Sequence, residues 1–301
     1  MNMPNIAIVL VILFVVLMLL WWMRRRSHLQ GNQFETAHVA IKACNTLLQL
    51  IANIQQHRGM STAYLAGDKS FERRLITKRS EIEPLVQQLQ QVAVTENSHN
   101  YPCFTPNDVT LWRHRWGLLV QELAGSSIEK SIATHSNLIA MLLNWLDALG
   151  EARIELPMRD KLPDGAVRNF SHRLPQLTEC LGQARATGSG VAARGTCSAV
   201  ARVRLMFLVS RAESLVDQAC AVDRQGNAAA QKVKALANMV RSHMLASQQV
   251  TVNAEEYFGE ATRTIDAIFQ WVKDCGQALE SQLAQTGQGA GAMPSGHHVG
   301  K

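Results

Sequence analysis

Residues 47–65 read LLQLIANIQQHRGMSTAYL. Leu47, Ile51, Ile54, Arg58, Ser61 and Leu65 recur at steps of four and three, which places them on one stripe of an α-helix. The same period returns along the chain, as in Val109, Trp112, Trp116, Leu119 and Leu123. No alternating β-branched run bounded by Asn-Gly or Asp-Gly turns interrupts it, so the spacing predicts an all-α fold.

Working outward, the first long helix is expected from about Gln33 to Ala66, ending at Gly67, where glycine can adopt a left-handed cap. A second should run from Ser70 to Val94. The stretch TENSHNYPCFTPND, residues 95–108, reads as a loop that opens a third helix near Asn107. Ser126 with Glu129 suggests a capping box for a fourth, ending near Gly150. The segment LPMRDKLPDG, residues 156–165, reads as a connection. Helices are then expected over 166–193, 198–222, 227–250 and 254–284, the last opened by Asn253 and Glu256. Eight helices in two sets of four, about 33–150 and 166–284, make a 33–284 body. The Gly-rich tail 285–301 lacks periodicity and is expected to be disordered.

Ahead of the body, Ile6 to Met23 (IAIVLVILFVVLMLLWWM) carries no charge, and as a helix it would be about 27 Å long. Trp21 and Trp22 fall at an interfacial position and Arg24, Arg25 and Arg26 follow, whereas MNMPN before the stretch is uncharged. This pattern predicts a single N-terminal transmembrane helix, residues 1–26 with its basic stop. The body would lie on the cytoplasmic face of the inner (plasma) membrane.

The chain excludes several functions. Its six cysteines contain no CxxC pair, so neither a zinc site nor a dithiol redox motif has the needed spacing. The formal charge of +6 falls to +3 once Arg24, Arg25 and Arg26 are set aside, too little for a nucleic-acid footprint. Walker, GxSxG and HExxH motifs are missing, so no enzyme and no cofactor are expected. His297 and His298 lie in the tail and read as a solvated pair.

More informative is an arginine on an apolar stripe. Arg58 faces the expected core, where a guanidinium needs an anion or several acceptors. Gly59, Ser61 and Thr62 keep its surroundings small and polar. Leu177, Leu181 and Arg185 repeat the theme at steps of four, in a Gly- and Ala-rich segment that lets another backbone approach. Two inward arginines from different bundles could converge on a planar oxyanion, which a guanidinium fork matches better than lysine does. Alternatively each could pair with a buried carboxylate such as Glu122 or Glu179.

Three stretches carry a resemblance: IQQHRGMSTAYLAGDKSFERRLITKRSEIEPL (54–85), GQARATGSGVAARG (182–195) and VNAEEYFGEATRTIDAI (252–268). In that order they are similar to the nitrate- and nitrite-sensing domain family. The resemblance implies two stacked four-helix bundles that bind nitrate or nitrite between them through arginines on separate helices. It carries over to Arg58 and Arg185, with Ser61 beside Arg58. Arg241, in phase with Val233 and Ala237, is the preferred third arginine, since Arg263 falls off the stripe of Phe258, Thr262, Ile265 and Phe269. Members of the family usually carry a fused output module, and none is expected in this sequence. The expected partners are therefore a small anion and a protein effector reached in trans. A homodimer is compatible with this arrangement.

Overall fold

A computed structural model describes residues 3–247 and 249–291, with side-chain surroundings for 13–14, 16–22, 33–247 and 249–286. His297 and His298 lie outside them. The described residues form helices joined by short turns, with one isolated bridge between Thr196 and Gln249. The all-α expectation is borne out.

Helix α1 (Met3–Leu65) runs without a break from the N-terminal apolar stretch into the body. It packs with α2 (Phe71–Glu96), α3 (Pro106–Glu122) and α4 (Ile128–Leu149) as a first bundle. Gly67 turns the chain out of α1 at φ 112°, a region closed to residues with a Cβ. Thr105 opens α3 with a capping box, accepting from the Asp108 amide while its own amide donates to the Asp108 carboxylate at 2.8 Å. At α4 the capping side chain is Ser127, one residue beyond the expected Ser126.

A wide turn (Gly150–Glu155) and a first helical turn, α5 (Ala166–Arg168), lead into the second bundle. It consists of α6 (Leu174–Arg194), α7 (Ala199–Val222), α8 (Asn227–Val240) and α9 (Ala254–Gly291). Asn253 caps α9 by accepting the Glu256 amide at 2.7 Å. α9 continues through Gly291, where the composition of 285–291 alone suggested disorder.

One apolar core serves both bundles. Leu47, Ile51 and Ile54 of α1 meet no solvent, as their stripe required, and burying side chains of this size stabilises the fold by about 1.5–3 kcal/mol each. α1 also packs against α6 and α9, so the helix bearing Arg58 forms the seam between bundles.

Among the described residues no helix is long and apolar enough to cross a membrane. The transmembrane helix expected over Ile6–Met23 is therefore not borne out by them. Residues 6–12, 15 and 23 of that stretch lie outside those whose side chains are described.

Candidate functional site

Arg58 reaches from α1 across the seam to α6. Its guanidinium is 2% exposed and donates to both carboxylate oxygens of Glu179, at 2.6 and 3.1 Å, and to Ser136 Oγ of α4 at 2.9 Å. Glu179 also accepts from Gln55 Nε2 at 3.0 Å and Gln183 Nε2 at 2.8 Å. This two-pronged pair satisfies the buried charge in the way that makes an interior ion pair tolerable. Of the two carboxylates considered, Glu179 is thus the partner of Arg58, and Glu122 instead pairs with Lys130 at the surface.

The sequence of α6 makes room for this fork. A Cβ on Gly182 would stand 2.7 Å from Arg58 Nη2, so glycine lets the guanidinium lie against the helix there and a larger residue would push it aside. Gly188 does the same for Tyr257 of α9, whose ring fills its Cβ position and whose hydroxyl donates to the Ala184 carbonyl at 2.8 Å. These contacts bring α6 and α9 together behind Arg185.

Arg185 is half-buried and has a different environment. It donates to Thr262 Oγ1 at 2.9 Å, and its guanidinium sits 5.0 Å above the Phe258 ring. No carboxylate lies within ion-pair distance of it among the described residues. Burial, then the nearby positive charge of Arg58, holds its pKa below the usual arginine value. A cation in this position would gain from an added anion.

Between the bundles opens a cleft of about 850 Å³. Gln55, Arg58, Gly59 and Thr62 of α1 line one wall, and Gly182 and Arg185 of α6 another. Ile128 and Ile132 of α4 and Phe258 of α9 make it partly apolar. The structure thus brings Arg58 and Arg185 to one space, each from a different bundle.

Ser61 and Arg241 are placed elsewhere. Ser61 turns into the first bundle, where its hydroxyl lies 3.2 Å from His57 Nδ1; Thr62 is the neighbour that reaches the cleft. Arg241 begins the wide turn after α8 and pairs with Glu213 of α7 on an outer surface. Its four-residue step from Ala237 holds only while the helix keeps its α pitch, and the pitch changes at Arg241 itself. Arg263 is exposed and pairs with Glu260. Thr262 and Phe258 were missed as partners of Arg185, although their spacing of four residues put both on one face of α9.

Behind Arg58 lies a buried histidine pair. His57 Nδ1 and His135 Nε2 are 2.8 Å apart, and both residues are 0% exposed. His135 Nδ1 lies 2.7 Å from the Ser131 carbonyl, which can only accept, so Nδ1 carries that ring's proton. His135 Nε2 then accepts from His57 Nδ1–H, leaving His57 Nε2 buried without a hydrogen-bond partner among the described residues. Burial holds both below the ordinary histidine pKa, His135 at about 4 and His57 at about 2; the Ser131 carbonyl partly offsets this at His135, whereas His135, Arg79 and Lys78 add to it at His57.

The folded chain therefore refuses protons that the unfolded chain accepts below about pH 6.5. Stability is full above that pH and falls as pH drops toward the folded values, with a limiting slope of about 1.4 kcal/mol per pH unit per histidine. Denaturant titrations at pH 7 and 5 should differ by about 4 kcal/mol from these two groups. A His57→Phe/His135→Leu variant should lose most of that difference, and an unchanged difference would remove the pair from the account of acid lability.

Burial disfavours nucleophilic chemistry at five of the six cysteines. All six thiols are free, and burial pushes Cys180 up to about 11 and Cys103 to about 12, far from the thiolate form a nucleophile needs.

Comparison with known proteins bears on the family and the fold. No curated protein matches the sequence. The solved structure described as "Structure of the NasR transcription antiterminator" shares the fold at a TM-score of 0.60, with 16% identity over 90% of this chain and 74% of that one. The family described as nitrate and nitrite sensing matches residues 49–286, a span that contains all three resembling stretches and both cleft arginines. The chain belongs to the nitrate and nitrite sensing family.

Proposed function

We propose that this chain is a sensor that holds nitrate or nitrite in the cleft between its bundles, with Arg185 as the principal contact and Arg58 as the second. The observation that carries this reading is a half-buried guanidinium facing a cleft without a carboxylate partner among the described residues. An anion there would offset the repulsion between Arg185 and Arg58. The cleft is far larger than an ion of four heavy atoms, so a close grip requires the bundles to close on it. Binding would shift an equilibrium between open and closed arrangements.

Nitrate, with four heavy atoms, gains at most about 6 kcal/mol at ~1.5 kcal/mol per heavy atom, so its dissociation constant is tens of micromolar at the tightest and weaker wherever a protein group competes for the site. At a hundred times its dissociation constant, a few millimolar or more, nitrate should stabilise the folded state by about 2.7 kcal/mol. Thermal melts in nitrate, against chloride at equal ionic strength, should therefore rise by on the order of 5–10 °C. Equal melts in the two salts would overturn the reading.

A second reading is a helical adaptor for protein partners, in which the arginines serve as interior ion pairs. The Arg58–Glu179 pair favours it; Arg185 does not fit it. Among the described residues the cleft is lined mainly by arginines, small residues and apolar side chains, and the role we propose for it is sensing.

The stretch Ile6–Met23 is proposed as a membrane anchor, with the body on the cytoplasmic side and the signal passed to an effector in trans. Its uncharged sequence supports this, as does the exposure of Leu13, Phe14 and every residue from Val16 to Trp22 around the helix.

A further inference from the structure

The fork of Arg58 already holds an anion. Both oxygens of Glu179 face it, and two neutral amides, Gln55 and Gln183, complete a set of donors around one carboxylate. Gln55 and Arg58 line the cleft, and Glu179 is 6% exposed beside them. A carboxylate is planar and offers two oxygens on one edge. Nitrite and nitrate offer the same edge, so the donors that hold Glu179 are of the kind that would hold either ion.

Resting on the reading of the cleft as an anion site, we propose that Glu179 is the resident occupant of that site, and that a planar oxyanion binds by taking its place at Arg58. Glu179 is then a specificity-determining residue. It sets the concentration at which the sensor responds, because the ligand must outcompete a tethered carboxylate. It also links occupancy to the seam. In the resting state Glu179 ties α6 to α1 through Arg58, and displacement cuts that tie while Arg185, two residues past Gln183 on α6, gains the incoming charge.

The test uses the full chain in mild detergent, with isothermal titration of sodium nitrate and sodium formate. Glu179→Gln removes the competing charge but keeps the shape, and should bind nitrate at least tenfold more tightly than wild type. Glu179→Ala opens the donor set to a free carboxylate. Formate should bind this variant, and should raise the apparent dissociation constant for nitrate in proportion to its own concentration. Nitrate affinity within twofold of wild type in Glu179→Gln would overturn the proposal, as would formate and nitrate binding to Glu179→Ala independently. Absence of nitrate heat in wild type and both variants would instead overturn the anion-site reading itself. Should Glu179→Ala fail to fold, the Glu179→Gln affinity decides alone.

Discussion

Replacing Arg58 by alanine is expected to destabilise the folded chain by about 3–5 kcal/mol, because it strands the Glu179 carboxylate in the seam. Gln55 and Gln183 still donate to it, which should hold the loss near the lower end. For a chain of this size the melting temperature should fall by roughly 10 °C. The Arg58→Met/Glu179→Met double variant should recover most of the loss, since apolar side chains of similar volume replace buried ion pairs at little cost. A single-variant loss below about 1 kcal/mol would mean that the pair does not form in solution. The size of this effect also means that Arg58→Ala is a poor probe of ligand binding, because lost binding and lost folding would look alike.

Arg185→Ala is the cleaner probe of binding, with a large expected effect. The residue has one neutral hydrogen bond and an aromatic contact, and it is repelled by Arg58. Its removal should change stability without anion by no more than about 1 kcal/mol. Nitrate affinity should fall at least a hundredfold, or about 2.7 kcal/mol, as expected when charge-assisted hydrogen bonds to an ion are lost. The nitrate-dependent rise in melting temperature should vanish with it. Arg241→Ala should leave that rise intact, because Arg241 lies against Glu213 away from the cleft. Retained affinity in Arg185→Ala, or a loss in Arg241→Ala, would require a different site.

Residues with one dominant role were legible from periodicity. Leu47, Ile51 and Ile54 announce a buried stripe, and Arg58 within it announces a charge that must be compensated. What periodicity could not give was the identity of the compensating group, since Glu179 lies 121 residues away and only the crossing of α1 and α6 brings it near. Ser61 shows the finer limit. At three residues from Arg58 it shares the buried stripe, but the few tens of degrees between them decide whether a side chain meets the cleft or His57. Arg241 failed for another reason: the helical phase used to place it changes at that residue. Gly182 was legible as a site of close approach, though not as the space occupied by a guanidinium.

The unbroken course of α1 from Met3 to Leu65 makes it a lever arm. At 1.5 Å per residue, roughly 50 Å of rod separate Arg58 from the end of the apolar stretch at Met23. A rotation of about 5° about the seam would sweep the far end through about 4 Å, given a helix that bends only gently over such lengths. A movement of the first bundle at the seam would in this way be larger at the far end of α1 than at the cleft.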